Sequence, residues 1–522
     1  MVTSLTRAAA HEAAGRGMVI PRQNIGTLHH FGFIALGRPP MAETPEGFEA
    51  WNTAVMREGW PARFQVRDPG KTVDGETFDA ALDFMRPKKL GDDGGSLLEK
   101  LSLARARMTP RDAWISTLRE FERCWTQWKR ETGRMDFADL IDLAADVPCP
   151  VDGVQSIFVD ESQDMSRLEM RLVRAWAEQA DTLTIVGDSD QAIFTWRGAD
   201  PMVMWDPPIE DRFVRVLEDS YRVPEAVHRA AMRWIRRMGD RREDVVYRPR
   251  KGDPGIVGTH TSTWRHPEAL VDQLTAHALA GRTAMLLATC GYMLVPAISY
   301  MRKRGIPFSN PYRVSRGDWN PLYAPPGKVR AADRVLSFLR PRLEGVAWTP
   351  GDVWRWAEWL DTSRDTTVRG GKAKLQRVVE SDGPHEGRPV TGPDLLEWLT
   401  VETVAAAYKA DLAWWQEHLL PVHQAKVNYP LRVLETCGAA ALRESPRLIV
   451  STVHGVKGGE ADVVALFPDL DRQGWEPYAT SEGGKDAVAR LLYVAMTRSR
   501  DELWLAAGAG GPAVSWSQIL AP

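Results

Sequence analysis

The 522 residues carry 66 Lys and Arg against 69 Asp and Glu, a formal net charge of -3, which excludes a wholly basic surface and leaves any nucleic-acid path to a local track. Hydrophobic content of 44% and charged content of 26% are those of an ordinary globular chain, long enough for about three or four domains with cores of their own. Cys124, Cys149, Cys290 and Cys437 lie far apart without Cys-x-x-Cys spacing, which argues against zinc and for a reducing compartment; no run approaches the length of about 18 apolar residues that spans a bilayer, and His11, Glu12 and Arg16 would interrupt a signal-peptide core, so a cytoplasmic location away from membranes is expected.

In chain order, Pro45 to Ala145 carries Trp114, Phe121, Trp125 and Trp128 at helical intervals and predicts a helical segment. Within it Gly70-Lys71-Thr72 spells the end of a phosphate loop, but Gln65 stands where the first glycine is needed, and Arg67, Asp68 and Pro69 make a poor anion cradle; a turn is predicted. The apolar run Ser156, Ile157, Phe158, Val159 predicts a buried strand that delivers Asp160 and Glu161 to its carboxyl end, where open α/β sheets place ligands. One such acid can hold Mg²⁺ while its neighbour takes a proton from an attacking water, and the pair equally suits a helix N-cap with favourable first-turn charge. Leu183, Ile185 and Val186 predict a second strand that ends in Gly187, Asp188, Ser189, Asp190 and Gln191, a second polar tip beside the first.

Between Asp211 and Lys251 basic residues outnumber acids by twelve to seven. Arg233, Arg236, Arg237, Arg241 and Arg242 share a helical pattern with Trp234 and Met238, which reads either as a basic track or as a solvated helix face. Ala284 to Ala288 predicts a strand, and Gly327-Lys328-Val329, after two prolines and without a hydroxyl, predicts a turn. Of 21 tryptophans, Trp348, Trp354, Trp356 and Trp359 cluster, with Trp398, Trp414 and Trp415 further on. Stacking on a base is worth about 1 to 3 kcal/mol, but the spacing of Trp356 with Trp359, and of Trp398 with Leu395 and Leu396, favours helix packing. Gly370-Gly371 and Ser381 to Pro393 read as loops, and there is neither a repeat with a period of about 20 to 50 residues nor a low-complexity tail.

Asp160-Glu161-Ser162-Gln163-Asp164, followed by the run from Gly187 to Gly198 (GDSDQAIFTWRG), resembles motifs II and III of superfamily 1 DNA helicases of the UvrD/Rep type. The resemblance extends over nearly the whole chain. Leu217 to Arg222 resembles motif IV, Thr452 to Glu460 motif V, Leu491 to Arg498 motif VI, Thr27 to Phe31 motif Ib and Leu5 to Glu12 motif Ia. It implies an α/β protein of two RecA-like P-loop-NTPase-type motor domains with two mainly helical insertions, the 1A, 1B, 2A, 2B architecture. The expected boundaries are 1–45 and 145–215 for the first motor domain, 46–144 for its insertion, 216–312 and 445–522 for the second motor domain, and 313–444 for the other insertion.

The implied activity is ATP-dependent 3′-to-5′ helicase or translocase action on single-stranded DNA and duplex junctions, in repair, recombination or replication. Asp160 would hold Mg²⁺, Glu161 activate water, and Gln191 report on the γ-phosphate. Arg222 and Arg498, expected on the motor domain opposite these groups, would neutralise charge in the transition state. Tyr221, Arg197 and Glu460 would contact the nucleotide, and Leu5, Thr6, Thr27, His29, Trp196, Thr452 and His454 the DNA. With Trp196 five residues after Gln191, phosphate state and grip on DNA would be linked through one segment.

The chain departs from the family at three places. Gly459 stands where motif V has Leu, and Ser220 where motif IV has Asn. The third is larger: the Gly-rich loop ending in Gly-Lys-Thr or Gly-Lys-Ser, expected ahead of motif Ia, has no counterpart, since Met1 already adjoins that motif. A missing first strand and phosphate loop is therefore expected, through a misplaced start codon, a split gene or a genuine loss. Three forms stay open: an enzyme completed by an upstream segment, one half of a split helicase completed by a separate polypeptide, and an ATPase-inactive relative that binds single-stranded DNA or a partner. With 24 residues after Arg498, no fused nuclease domain is expected.

Overall fold

The computed structural model describes residues 1–4, 20–66, 93–239, 246–314, 317, 319–325, 327–382 and 388–520. The motif Ia-like segment with Leu5 and Thr6, the Gly70-Lys71-Thr72 triplet, and Arg241 and Arg242 lie outside these residues.

Four strands, β1 (Val2–Ser4), β2 (Ile25–Thr27), β3 (Ser156–Asp160) and β4 (Thr182–Ile185), form a parallel sheet in the order β2-β1-β3-β4. Val2 lies opposite Ile25 on one side and Phe158 on the other, and the Met1 ammonium extends the ladder to the Ser156 carbonyl at 2.8 Å. Parallel neighbours need a crossover, and between β3 and β4 it is the helix Arg167–Ala177. Ser166 and Glu169 start that helix as a capping box, each side chain satisfying the other's backbone N–H. Its buried residues Leu168, Leu172, Val173 and Trp176 share a core with Ile157 and Val159, and the Trp176 indole donates to the carbonyls of Ala144 and Val147.

The sheet corrects one expectation. Phe158 is 43% exposed and Thr182 and Thr184 face solvent, so the run read as wholly buried alternates instead. Successive strand residues point to opposite faces; the face carrying Ile157 and Val159 is buried along β3, whereas on the other face Val2 is buried but Phe158 and Thr184 beside it are exposed.

Helices Pro45–Arg57, Gly94–Ala106 and Ser116–Thr132 pack around Trp51, Phe121, Trp125 and Trp128. Trp51 meets Trp125 edge-on at 4.9 Å and Trp128 at 5.5 Å, geometry that aromatic quadrupoles favour. At the root of this helical segment the chain leaves and returns side by side, Ala42 N–H donating to Met135 O and Met135 N–H to Pro40 O. Lys129 is buried there between Asp136, at 2.6 Å, and Asp139, while Arg105 reaches Asp136, Asp139 and Asp142.

A second sheet, also parallel, has the order β5-β9-β8-β6-β7, from β5 (Ile256–His260), β6 (Ala284–Ala288), β7 (Leu448–Thr452), β8 (Ala461–Leu466) and β9 (Ser499–Ala506). Every residue of β6 is buried, as a central parallel strand requires. The described residues between 331 and 443 form helices whose core holds Trp348, Trp356, Trp398 and Trp415, with Trp354, Trp359 and Trp414 packed against it; these tryptophans serve packing. Gly327 closes the turn predicted for it, with φ 78° and Lys328 N–H on Pro325 O. The loop read from Ser381 is narrower, since Gly371–Asp382 is helical and the next helix starts at Gly392.

The chain divides into two compact units, Met1–Pro254 with Leu470–Thr497 and Ser517–Pro522, and Gly255–Asp469 with Arg498–Trp516. This division falls after Pro254, whereas the sequence reading places a motor-domain boundary at 215/216.

Candidate nucleotide and DNA site

In the first unit β3 ends at Asp160 and the chain turns at once. Glu161 takes the left-handed conformation, φ 54° and ψ 37°, before the 3-10 turn Ser162–Asp164. A non-glycine residue held there costs about 1 to 3 kcal/mol and persists only where its surroundings impose it. Here Ser162 donates twice to Val186 O, from N at 3.0 Å and from Oγ at 2.8 Å, and Asp160 Oδ1 accepts the Glu161 N–H at 2.9 Å. β4 ends in the same manner, with Asp188 Oδ1 accepting the Asp190 N–H at the head of the turn Ser189–Gln191.

Gln163, 1% exposed, joins the two strand tips. Its Nε2 donates to Glu161 Oε2 at 2.5 Å and its Oε1 accepts the Asp188 N–H at 3.0 Å; Asp188 Oδ2 in turn accepts Gln191 Nε2 at 2.7 Å. A hydrogen-bonded run thus links Glu161 to Gln191 through Gln163 and Asp188. Asp164, also buried, takes the Ile193 N–H at 3.3 Å, a second tie between the tips. The second tip is also tied to helix Glu482–Met496, whose buried Arg490 donates from Nε to Ser189 O at 3.1 Å. That helix is held in the unit by the Trp234 indole on Ala489 O and by Asp486, which accepts the Gly239 N–H.

Gln163 and Asp188 stand inside the runs that resemble motifs II and III, yet nothing in the sequence assigns them a role; Arg490 directly precedes the motif VI-like run. The signal available for Gln163 was a polar residue just beyond a strand end, which is also what an ordinary turn presents.

Past Gln191, Trp196 is half-buried and tilted against Phe194. Thr195 O accepts from Arg107, and Gly198, at φ 103°, sits so close to helix Gly94–Ala106 that a Cβ there would lie 2.8 Å from that of Ala106. Arg197 forms an ion pair with Glu169 at 3.7 Å and lies over the Phe194 ring. His29 shares this neighbourhood, edge-on to Phe137, and its imidazole is pushed below its ordinary pKa by burial, with Arg197 adding to the effect against Glu169. The Thr27 hydroxyl caps helix Leu28–Ala35 on the His30 N–H. Tyr221 is 90% exposed, and Ser220 Oγ accepts the N–H groups of Arg222 and Val223, so the serine at the departure from motif IV shapes the backbone that presents Arg222. Arg222 belongs to the first unit, with Asp160 and Glu161. In the basic track, helix Glu225–Ile235 spends Trp234 on packing, with Arg237 stacked on its ring at 4.1 Å, and Arg233 on the Ile519 carbonyl.

The second unit holds the remaining candidates. Thr452 ends β7 and its hydroxyl accepts the Gly455 N–H; His454, half-buried, opens the turn His454–Val456. Glu460 pairs with Arg500 at 2.6 Å, and Arg498, 2% exposed, donates to Gly459 O at 3.3 Å.

Asp160 is exposed at the strand end, an oxygen donor of the hard type that Mg²⁺ selects. Among the described residues no three His, Cys, Asp or Glu side chains gather into a metal cage. One carboxylate, with the remaining positions left to phosphate and water, is how Mg²⁺ is usually held in nucleotide sites, so the residues present fit it.

Two parallel sheets, each with polar loops at the carboxyl ends of its strands, define the class as α/β with tandem motor-type folds. Residues 1–206 match the UvrD/REP helicase N-terminal domain and residues 448–506 the UvrD-like helicase C-terminal domain. The chain belongs to the UvrD/REP helicase family. It is similar to the ATP-dependent DNA helicase PcrA of Bacillus subtilis strain 168, 39% identical over 104 residues, which is 20% of this chain and 14% of the relative. Its similarity to PcrA of Staphylococcus epidermidis is 29% over 190 residues, 34% of this chain and 26% of the relative, and to PcrA of Staphylococcus aureus 31% over 131 residues, 23% and 18% respectively. The chain thus matches about a quarter or less of the length of these relatives.

Proposed function

We propose that this chain is the motor of an ATP-dependent DNA helicase or translocase that moves 3′ to 5′ on single-stranded DNA, in the cytoplasm, and serves repair, recombination or replication. The observation that carries this reading is the half-buried hydrogen-bond run from Glu161 through Gln163, which is buried, and Asp188 to Gln191. In support, a carboxylate and a carboxamide stand on adjacent strand tips, joined by hydrogen bonds and with Glu161 in a strained backbone conformation, which packing alone does not ask for. In this reading Asp160 holds Mg²⁺, which supplies charge neutralisation at the phosphates, Glu161 accepts the proton of the attacking water, and Gln191 leaves Asp188 to meet the γ-phosphate. Arg222 and Arg498 offset developing negative charge. Tyr221, Arg197 and Glu460 face the nucleotide. Trp196, Thr452, His454, Thr27, His29, Leu5 and Thr6 follow single-stranded DNA.

The sequence holds no G-x-x-x-x-G-K-[ST] run. Hydrolysis in this reading requires a phosphate loop from outside these residues, on an upstream segment or a separate polypeptide. A second reading, a relative that binds single-stranded DNA without hydrolysing ATP, rests on the same feature.

Appending a strand and phosphate loop ahead of Met1 decides between them. The extended protein is expected to show DNA-stimulated ATPase. Glu161→Gln in it should abolish turnover while leaving oligonucleotide binding intact, because only the proton acceptor is removed. Turnover by the Gln variant within about tenfold of its parent would remove Glu161 from the mechanism, and an extended protein that binds DNA but never hydrolyses ATP would favour the second reading.

A further inference from the structure

Gly459, where the family has leucine, is not an empty place. A Cβ built there would stand 2.2 Å from the hydroxyl oxygen of Tyr312, 2.4 Å from its Cζ and 3.0 Å from its Cε2. The phenol ring end occupies the volume that a side chain at 459 would need.

Tyr312 is not at liberty to drift. The segment ahead of it lies along β7, Ser309 N–H donating to Leu448 O and Val450 N–H to Ser309 O. Asn310, fully buried, then clasps the turn: its Nδ2 donates to Val450 O at 3.1 Å, its Oδ1 accepts the Tyr312 N–H at 3.1 Å, and its own N–H goes to Asn320 Oδ1 at 2.7 Å. Asn320 Nδ2 closes the turn on Arg313 O at 2.7 Å. Two buried carboxamides fix this backbone, and they are costly to leave unsatisfied. The neighbouring Gly455 is similarly close, a Cβ there falling 2.6 Å from Ser451 Oγ and 3.5 Å from Arg313 Nε.

The loop on which the ring rests holds the candidate arginine. Gly459 N–H donates to Val456 O at 2.8 Å, Gly459 O accepts from Arg498 Nη1, Ala461 N–H donates to Arg498 O, and Glu460 stands between them.

We propose that Tyr312 is a positioning residue for the 456–460 loop: its ring, carried on the clasped segment from which the helical insertion departs, replaces the missing side chain at 459 and sets the carbonyl that holds Arg498. The proposal rests on the reading of Arg498 and Glu460 as nucleotide-facing and of Thr452 and His454 as DNA-facing. A shift of the insertion relative to β7 would then reach this loop through one aromatic ring.

The test uses the 522-residue chain. Hydrogen exchange is measured at the Gly459 and Ala461 amides, and affinity for a labelled oligothymidylate by anisotropy, in the parent and in Tyr312→Phe, Tyr312→Ala, Gly459→Leu and the double variant Tyr312→Ala/Gly459→Leu. Tyr312→Ala is expected to speed exchange at both amides by about tenfold or more, as for a loop whose local opening has become easier, and to weaken DNA binding. Tyr312→Phe, which keeps the ring, should leave exchange near the parent value. Gly459→Leu should behave as Tyr312→Ala does, and the double variant, with leucine in the vacated volume, should recover. Unchanged exchange in Tyr312→Ala, or no recovery in a folded double variant, would overturn the proposal. If Gly459→Leu fails to fold, the Phe and Ala variants at 312 still decide it. A parent that does not bind the oligonucleotide would remove the functional reading of the loop, while the exchange data judge the wedge separately.

Discussion

Gly187 shows how closely the two strand tips are fitted. A Cβ at this position would meet Ser162 Oγ at 2.5 Å, Gln163 Oε1 at 2.7 Å and Gln163 N at 3.1 Å. Ser162 Oγ is itself committed to Val186 O, and Gln163 Oε1 to the Asp188 N–H, so neither can step aside without giving up a bond. Gly187→Ala is therefore expected to destabilise the protein by about 1 to 3 kcal/mol, the usual cost of overpacking, in urea denaturation followed by fluorescence. Asp160 and Glu161 could be singled out from the sequence because two acids at a strand end are chemically conspicuous, and Gln191 through the resemblance of its run to motif III. Gln163 could not, because its importance lies in the two tips it bridges, and that bridge exists only once β3 and β4 are neighbours.

At the scale of elements, the root of the first helical segment is an ionic clasp. Lys129, with 5% of its side chain exposed, serves Asp136 and Asp139, and Asp136 also takes the Trp125 indole and Arg105. Burial alone would raise the Asp136 carboxyl, but the Lys129 ammonium and Arg105 outweigh it and hold its pKa down to about 2. Lys129→Met would leave two sheltered carboxylates to Arg105 alone, and a loss of about 3 kcal/mol or more in denaturant stability is expected.

Glu43 lies beside this clasp, its Oε2 accepting the Phe137 N–H at 2.7 Å, and loss of hydration together with the Asp136 charge pushes its pKa up to about 8. The folded state then keeps a proton that the unfolded chain releases near the ordinary value of 4.5. Between these pH values the folded form binds more protons, so this contribution to stability declines as pH rises toward about 8. Asp136, with its depressed pKa, acts in the opposite sense, its contribution being lost as pH falls from 3.8 toward 2. Glu43→Gln should flatten the decline between pH 5 and 8 in a denaturation series; a slope equal to the parent's would place the proton elsewhere.

For the whole molecule, the decisive question is how phosphate is held. The sequence holds no G-x-x-x-x-G-K-[ST] run, and on the proposed reading the purified 522-residue chain is expected to show no DNA-stimulated ATPase above background. β4 offers an edge on which a further strand could pair. It pairs with β3 on one side, among the described residues no strand pairs with the other, and Val186 beyond its end is 42% exposed. Thr182 and Val186 donate toward β3, so by strand alternation the N–H groups of Leu183 and Ile185 point away from it. An appended strand and loop that restores ATPase should slow exchange at Leu183 and Ile185. Robust hydrolysis by the unextended chain, lost on Glu161→Gln, would show that phosphate is held by other means.

What the sequence determined by itself was local. Apolar runs closed by acids announced β3 and β4, the five apolar residues from Ala284 to Ala288 announced β6 to the residue, and helical spacing marked the tryptophans as core, because periodicity and strand-end chemistry act over a few neighbouring residues. Tertiary structure decided which tips became neighbours, that Phe158 and Thr184 on one face of the first sheet are exposed, that Arg490 ties down the Ser189 turn, and that a tyrosine 147 positions away fills the space beside Gly459. These are contacts between residues far apart in the chain. Each depends on packing volumes and hydrogen-bond partners that exist only after the strands have found their order, so no pattern along the sequence could carry them.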